Sequence, residues 1–237
     1  MKLIKQIMIF SLLLGFIFTA FSENLDDYYN KYGSKYKQKN GTSYPIYYMK
    51  VKAQGTDIPQ VIARMYVPTS KENFVRAIRD WKNYANFLPG QSKKFPTVCE
   101  APKKDGTFVQ TALMDLPWPC NDLKYQTLVD PFELSKSKLI ETWSNIDLPK
   151  EKGFGRTTVN KGSWTISNPG EHDFFLQYEF LVVPSTSVPS SVKAWLADAA
   201  LEKIIEGIVN RSADRTWTSK KKVRIDYDKK KVKSFDL

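Results

Sequence analysis

The sequence predicts an α+β protein in which a curved antiparallel β-sheet wraps a long C-terminal α-helix and leaves a hydrophobic cavity inside. Three observations predict it. Runs rich in aromatic and β-branched residues fill most of residues 44–184, turn residues separate them at short intervals, and a long stretch of helical periodicity follows at 190–210. A helix arriving after a continuous antiparallel sheet buries its apolar stripe on the concave face of that sheet. A curved sheet closed on one helix leaves interior space that side chains do not fill, and such space is lined as ligand pockets are lined.

The elements follow in order. Lys2 and Lys5, the apolar run from Ile7 to Phe18 and the small residues at Ala20 and Ser22 read as a secretory signal peptide over 1–22. The run is short for a span of roughly 20 residues, so a cleaved leader is expected ahead of an uncleaved membrane anchor, and the mature chain is expected to be secreted or periplasmic. Residues 23–43 are charged and tyrosine-rich, a linker or short helix. Strands are expected at 47–51 and 60–67, paired as a hairpin. Ser70 then caps a helix in which Phe74, Val75, Ile78 and Trp81 recur at helical spacing, ending near Leu88-Pro89-Gly90. Residues 94–100 and 107–115 form a hairpin around Asp105-Gly106. Further strands occupy 124–129, 138–143, 156–167 and 173–183, in a sheet expected to be antiparallel throughout. In the last of them Phe174, Leu176, Tyr178, Phe180 and Val182 share the face toward the helix. That helix opens at Ser190 and presents Val192, Trp195, Leu196, Ala199, Leu201, Ile204, Ile205, Ile208 and Val209 as its apolar face.

Composition narrows the chemistry. Two cysteines, Cys99 and Cys120, and one histidine are too few for a Cys/His zinc site, a two-histidine centre or an iron–sulfur cluster, so any metal chemistry would have to be all oxygen; no metal or cofactor is expected. His172 sits in the turn-forming run Asn168-Pro169-Gly170-Glu171, a surface-loop setting rather than a catalytic one. There is no P-loop, and Gly153-Phe154-Gly155 lacks the third glycine of a dinucleotide fingerprint.

Several strings, in order, resemble the START domain of the polyketide cyclase/START superfamily over residues 44–212. The stretch from Ile78-Arg79-Asp80-Trp81 to Phe87-Leu88-Pro89-Gly90 is similar to the early helix of that superfamily. Leu116-Pro117-Trp118-Pro119-Cys120-Asn121-Asp122 resembles the entry to the strand after the hairpin, Gly162-Ser163-Trp164 the G-x-W strand, and residues 182–189 the lead into the last helix. The resemblance implies a helix-grip fold and a hydrophobic ligand, foremost a lipid, carried or sensed without catalysis. The alternatives are a cyclase-like or hydrolase-like enzyme using the same cavity, and a non-catalytic envelope interaction module with a filled core. Asn121 replaces the arginine of the family's R-D dipeptide, and Ser185 and Ser187 replace glycines before the last helix, so ligand identity does not carry over.

The expected ligand-binding set is Trp195, Ala199, Tyr178, Phe180, Phe174, Trp164 and Trp143, with Tyr125, Arg156 and Asn121 as polar anchors. Each aromatic has core packing as its alternative. Loops at 148–155 and 185–189 are expected to gate the cavity. The hairpin puts Cys99 and Cys120 on the order of 20 Å apart, far beyond the ~7 Å reach of a disulfide, so both are expected to be free. Charge divides unevenly. Of the formal +11, residues 1–22 contribute +2 and residues 211–237 contribute +6, so the domain between keeps only +3. The basic tail, with Lys220, Lys221, Lys222, Lys229, Lys230 and Lys231, reads as a solvated extension or added strand, or as a docking element for an anionic membrane surface. Nucleic acid is not an expected partner of an exported protein, and a monomer is expected.

Overall fold

The structure, a computed structural model, describes the backbone of residues 36–88, 91–92, 95–135, 137–167, 173–214, 222–226 and 231–235. Side chains are described up to residue 214 except at 199, 200 and 202. The expected signal peptide, most of the 23–43 segment, His172, Lys220, Lys221, Lys229 and Lys230 lie outside the described residues.

Ten strands make one sheet: β1 (Lys37–Lys39), β2 (Ile46–Val51), β3 (Gln60–Val67), β4 (Val98–Cys99), β5 (Phe108–Met114), β6 (Leu123–Val129), β7 (Glu133–Leu134), β8 (Lys138–Ile146), β9 (Gly155–Ser167) and β10 (Phe174–Pro184). Their spatial order is β1-β2-β3-β10-β9-β8-β6-β5-β4, with β7 beside β8. Burial alternates along β3, β6 and β10, as a half-buried pleated strand requires, and the inward set of β10 includes Phe174, Leu176, Tyr178 and Phe180. Asp105-Gly106 turns the β4–β5 connection, with Gly106 at φ 89° and the Asp105 carboxylate accepting from the Thr107 N–H at 2.9 Å.

Between β3 and β4 lies α1 (Lys71–Ile78), capped by Ser70, whose Oγ accepts from the Asn73 N–H. A 3₁₀ turn (Trp81–Asn83) and the short α2 (Tyr84–Phe87) follow. The C-terminal helix runs as α3 (Ser190–Ala199), a π-helical stretch (Ala200–Ile205) and α4 (Glu206–Ala213). Its buried side chains Val192, Leu196, Leu201, Ile205, Ile208 and Val209 are the stripe read from the sequence. All but Val192 are continuous with the inward residues of β3 and β10 and with Phe74 and Ile78 of α1.

Four details depart from the sequence reading. The sheet is not antiparallel throughout, because β6 and β9 pair in parallel at Leu123 with Gly155 and Lys124 with Arg156. Residues 37–39, read as linker, pair with β2; a polar edge strand carries no alternation to betray it. The C-terminal helix contains a π-helical stretch, which its apolar periodicity does not announce. The basic tail, read as a solvated extension or added strand, contributes two strands, β11 (Lys222–Asp226) and β12 (Lys231–Phe235), which pair with each other as a separate antiparallel hairpin. Cys99 and Cys120 are both free.

Candidate functional site

The inward faces of β5, β6, β8, β9 and β10, the α1–α2 segment and the C-terminal helix enclose a cavity with a free volume of about 90 Å³. One wall is aromatic. Trp143 from β8, Trp164 from β9 and Tyr178 and Phe180 from β10 stand side by side, with Trp164 and Tyr178 ring centroids 4.1 Å apart and Tyr178 and Phe180 5.8 Å apart. Gly162 makes this arrangement possible. A Cβ there would come within 2.2 Å of both Trp143 Cζ2 and the Glu179 carbonyl oxygen, so the Trp143 indole lies against bare backbone. Its Nε1 donates to Asn160 Oδ1 at 3.2 Å, which fixes the ring's orientation. Ile204 and Ile208 of the helix supply aliphatic cover.

The opposite wall is partly polar. Tyr125 of β6 accepts a hydrogen bond from Gln91 Nε2, and Gln91 Oε1 in turn accepts from Thr97. Tyr84 donates its hydroxyl to the Ile78 carbonyl at 2.5 Å. Glu141 reaches the cavity from β8, between Leu139 and Trp143 on the inward face, and forms an ion pair with Arg79. Arg79 is the C-cap of α1, where a cation suits the helix dipole. Its guanidinium is enclosed by the rings of Trp81, Phe108 and Phe132, with centroids 5.3, 4.5 and 4.9 Å away. Burial raises Glu141 to about 7 against the opposing pull of Arg79. Burial likewise pushes the Tyr84, Tyr125 and Tyr178 hydroxyls and the Cys99 thiol up, so these groups hold their protons at neutral pH. Thr127, 1% exposed, also lines the cavity, and its Oγ1 has no hydrogen-bond partner.

Of the residues singled out from the sequence, the structure brings Trp143, Trp164, Tyr178, Phe180 and Tyr125 together around the cavity. Phe174 is fully buried but packs on Phe74 in the core behind it, with centroids 5.2 Å apart. Trp195 is half-buried beneath the Lys203 ammonium, away from the cavity lining, and the side chain of Ala199 lies outside the described set. Arg156 and Asn121 do not meet the cavity. Asn121 is exposed in the turn before β6. Arg156 donates to the Leu148 carbonyl at 2.6 Å while its own carbonyl accepts from the Ser185 N–H at 2.7 Å, so it ties together the two loops expected to gate the site. The reason is register: Arg156 stands in the parallel β6–β9 pairing, which the sequence does not reveal.

The residues missed were Arg79, Glu141 and Thr127. A signal for two of them exists. Alternation places Glu141 on the same face as Leu139 and Trp143, and Thr127 on the same face as Tyr125 and Val129, so each is a polar group among inward-facing apolar ones. Among the described residues, no cluster of His, Cys, Asp and Glu suits a metal ion.

No family model and no curated protein matches the chain. Solved structures do resemble it. A STAR-related lipid transfer protein from Xanthomonas axonopodis superposes with a TM-score of 0.60 at 14% identity, covering 74% of this chain and 98% of that one. Human STARD10 gives 0.61 at 15% identity, over 79% and 77% of the two chains. Human StAR-related lipid transfer protein 5 gives 0.56 at 10% identity, over 81% and 94%. At such identities the likeness is one of fold, and the fold is START-like: an α+β helix-grip sheet around a C-terminal helix.

Proposed function

From a START-like fold closed over an aromatic cavity, we propose that the protein binds one hydrophobic molecule, a lipid or lipid-like compound, and carries or senses it without altering it. The observation that carries this reading is the cavity itself. It holds a continuous apolar wall, four aromatic rings deep, facing a few fixed polar groups, which is the makeup of a small-molecule pocket. Each CH₂ moved into it from water gains ~0.8 kcal/mol. With a free volume of about 90 Å³, the cavity accommodates a short apolar segment. Burial drives the cavity tyrosines and Cys99 toward their protonated forms, which supports carriage over nucleophilic chemistry; Glu141, raised to about 7, is the group on which an acid–base alternative would rest.

The setting belongs to the same proposal. The leader over 1–22 exports the protein, and the basic C-terminal segment, with the β11–β12 hairpin, draws the carrier to anionic lipid surfaces, where each cation near the surface contributes ~1 kcal/mol.

Titration with Nile red, a neutral apolar fluorophore, tests the cavity reading. Ile204→Phe fills the space beside the aromatic wall and is expected to weaken Nile red about tenfold, whereas Trp195→Ala, off the cavity, leaves it within about twofold. No saturable Nile red binding, or equal effects of the two substitutions at equal stability, would count against the reading.

A further inference from the structure

A second hollow lies on the outer face of the sheet and shares no lining residue with the inner cavity. Along β6 the side chains alternate, so Tyr125 and Thr127 point inward while Lys124 and Gln126 point outward, beside Leu113 and Thr111 of β5. Register then builds a row across four strands. Val98 of β4 pairs with Thr111, Leu113 pairs with Lys124, and Lys124 pairs with Arg156 of β9. At about 4.8 Å per strand, the row runs roughly 15 Å from β4 to β9.

Its two ends differ in chemistry. One lobe, with a free volume of about 240 Å³, is mostly apolar, with Phe95, Val98, Leu113 and Phe154 in its walls. The other, of about 190 Å³, holds Lys124, Gln126 and Arg156. The lobes adjoin, because Thr111, Lys124, Glu151 and Phe154 line both. Phe95 and Phe154 meet edge to face over the apolar end, with centroids 5.8 Å apart, yet Phe95 remains 52% exposed and Val98 59% exposed.

The polar end carries more cation than anion. Like charges directly opposite one another on neighbouring strands repel, and Lys124 and Arg156 are so placed. Glu151 answers one of them, pairing with Lys124 at 2.6 Å through two half-exposed side chains. A pair of that kind contributes about 0–1 kcal/mol and exchanges readily. Among the described residues Arg156 forms no ion pair. A guanidinium has five N–H donors, and the Leu148 carbonyl takes one from Arg156 at 2.6 Å. Such a fork suits a carboxylate.

We propose that this outer groove is a second binding site, taking a single-chain amphipathic anion such as a fatty carboxylate. The carboxylate sits between Arg156 and Lys124, and the chain runs over Leu113 toward Phe95 and Val98. A cation of the same shape meets two like charges, and an alcohol gains the apolar end alone. The site goes beyond the inner-cavity reading and does not depend on it.

Isothermal titration calorimetry with decanoate, decanol and decyltrimethylammonium tests it, on the full chain and on Ile204→Phe, which fills the inner cavity. Saturable decanoate binding should survive Ile204→Phe within about twofold, and there exceed binding of the alcohol and the cation by about tenfold. In that background Arg156→Gln and Lys124→Gln should each weaken decanoate about tenfold. Glu151→Gln should strengthen it severalfold by freeing Lys124. Pelleting with phosphatidylglycerol vesicles separates a free amphiphile from a membrane-held head group, and Arg156→Gln should leave pelleting unchanged. Loss of decanoate binding in Ile204→Phe, equal affinity for the three probes, or a decanoate affinity that Arg156→Gln and Glu151→Gln both leave unchanged would overturn the assignment. Loss of pelleting in Arg156→Gln with decanoate affinity intact would overturn it in favour of a membrane contact. Nile red, which reads the inner cavity, should bind Arg156→Gln as it binds the unaltered protein, so the two sites stand or fall separately.

Discussion

Arg79 and Asp80 are neighbours in sequence, both charged and both little exposed, and they end in opposite situations. Asp80 is matched on both oxygens. Arg211 of α4 donates to its Oδ2 through Nε at 3.1 Å and Nη2 at 2.9 Å, and Asn83 donates to its Oδ1 at 2.7 Å. The Phe87 ring lies under the Arg211 guanidinium, and Thr69 donates to the Ser212 carbonyl close by. Gly207 lets α4 approach so closely that a Cβ there would come within 2.6 Å of the Phe87 carbonyl. Arg79, one residue earlier, pairs with a carboxylate that faces a void and is short of hydrogen bonds. The difference teaches which polar group does what. A saturated network behind the cavity fixes the far end of the gripped helix, whereas the pair in the cavity wall keeps an oxygen without an aligned hydrogen bond.

The largest expected effect breaks the saturated side. Asp80→Ala removes the buried carboxylate that Arg211 pairs with and part of the charge compensation of Arg76, and should cost about 3 kcal/mol of stability, read as a shifted denaturant midpoint. A cost below 1 kcal/mol would show that the network is not what holds α4.

Next comes the pH dependence of the unsaturated side. Glu141 is raised from 4.5 to about 7 in the folded protein. Between those values the folded chain keeps a proton that the unfolded chain has released. The contribution of Glu141 to stability is therefore full below about pH 4.5, falls by something of order 3 kcal/mol as pH rises toward 7, and is flat beyond. Glu141→Gln should be less stable overall, because Arg79 loses its counter-charge, but should lack this slope. Parallel slopes in the two proteins would mean that Glu141 is not titrating in that window.

The smallest effect is Thr127→Val. Removing a hydroxyl that has no partner should leave unfolding within about 0.5 kcal/mol of the original, on the stabilising side. A loss of more than 1 kcal/mol would identify a partner for Thr127 within the protein.

Much of this fold was legible because its information is local. Period-two burial in β10, the Asp105-Gly106 turn, the Ser70 cap and the apolar stripe of the C-terminal helix each depend on residues within a few positions of one another. The aromatic wall was legible for the same reason, since Tyr178 and Phe180 share a face of one strand. What was not legible depends on register between distant strands. Arg156 is carried out of the site by a parallel pairing with β6, and Phe174, on the correct face, lies too far toward the α1 end to reach the cavity. The Gly162 in the G-x-W string was visible, but its use, to seat Trp143 from the adjacent strand, required the pairing of Trp143 with Gly162. The Arg79–Glu141 pair joins a helix end to a strand about sixty residues on, and only an inward-facing charge in β8 hinted at it.

The central claim is that the cavity holds an apolar molecule. The most direct measurement is organic-solvent extraction of the protein purified from its native host, followed by mass spectrometry of what it carried. An apolar compound, recovered in stoichiometric amount and lost from the Ile204→Phe variant, is the result expected. Repeated recovery of no stoichiometric compound would contradict the claim.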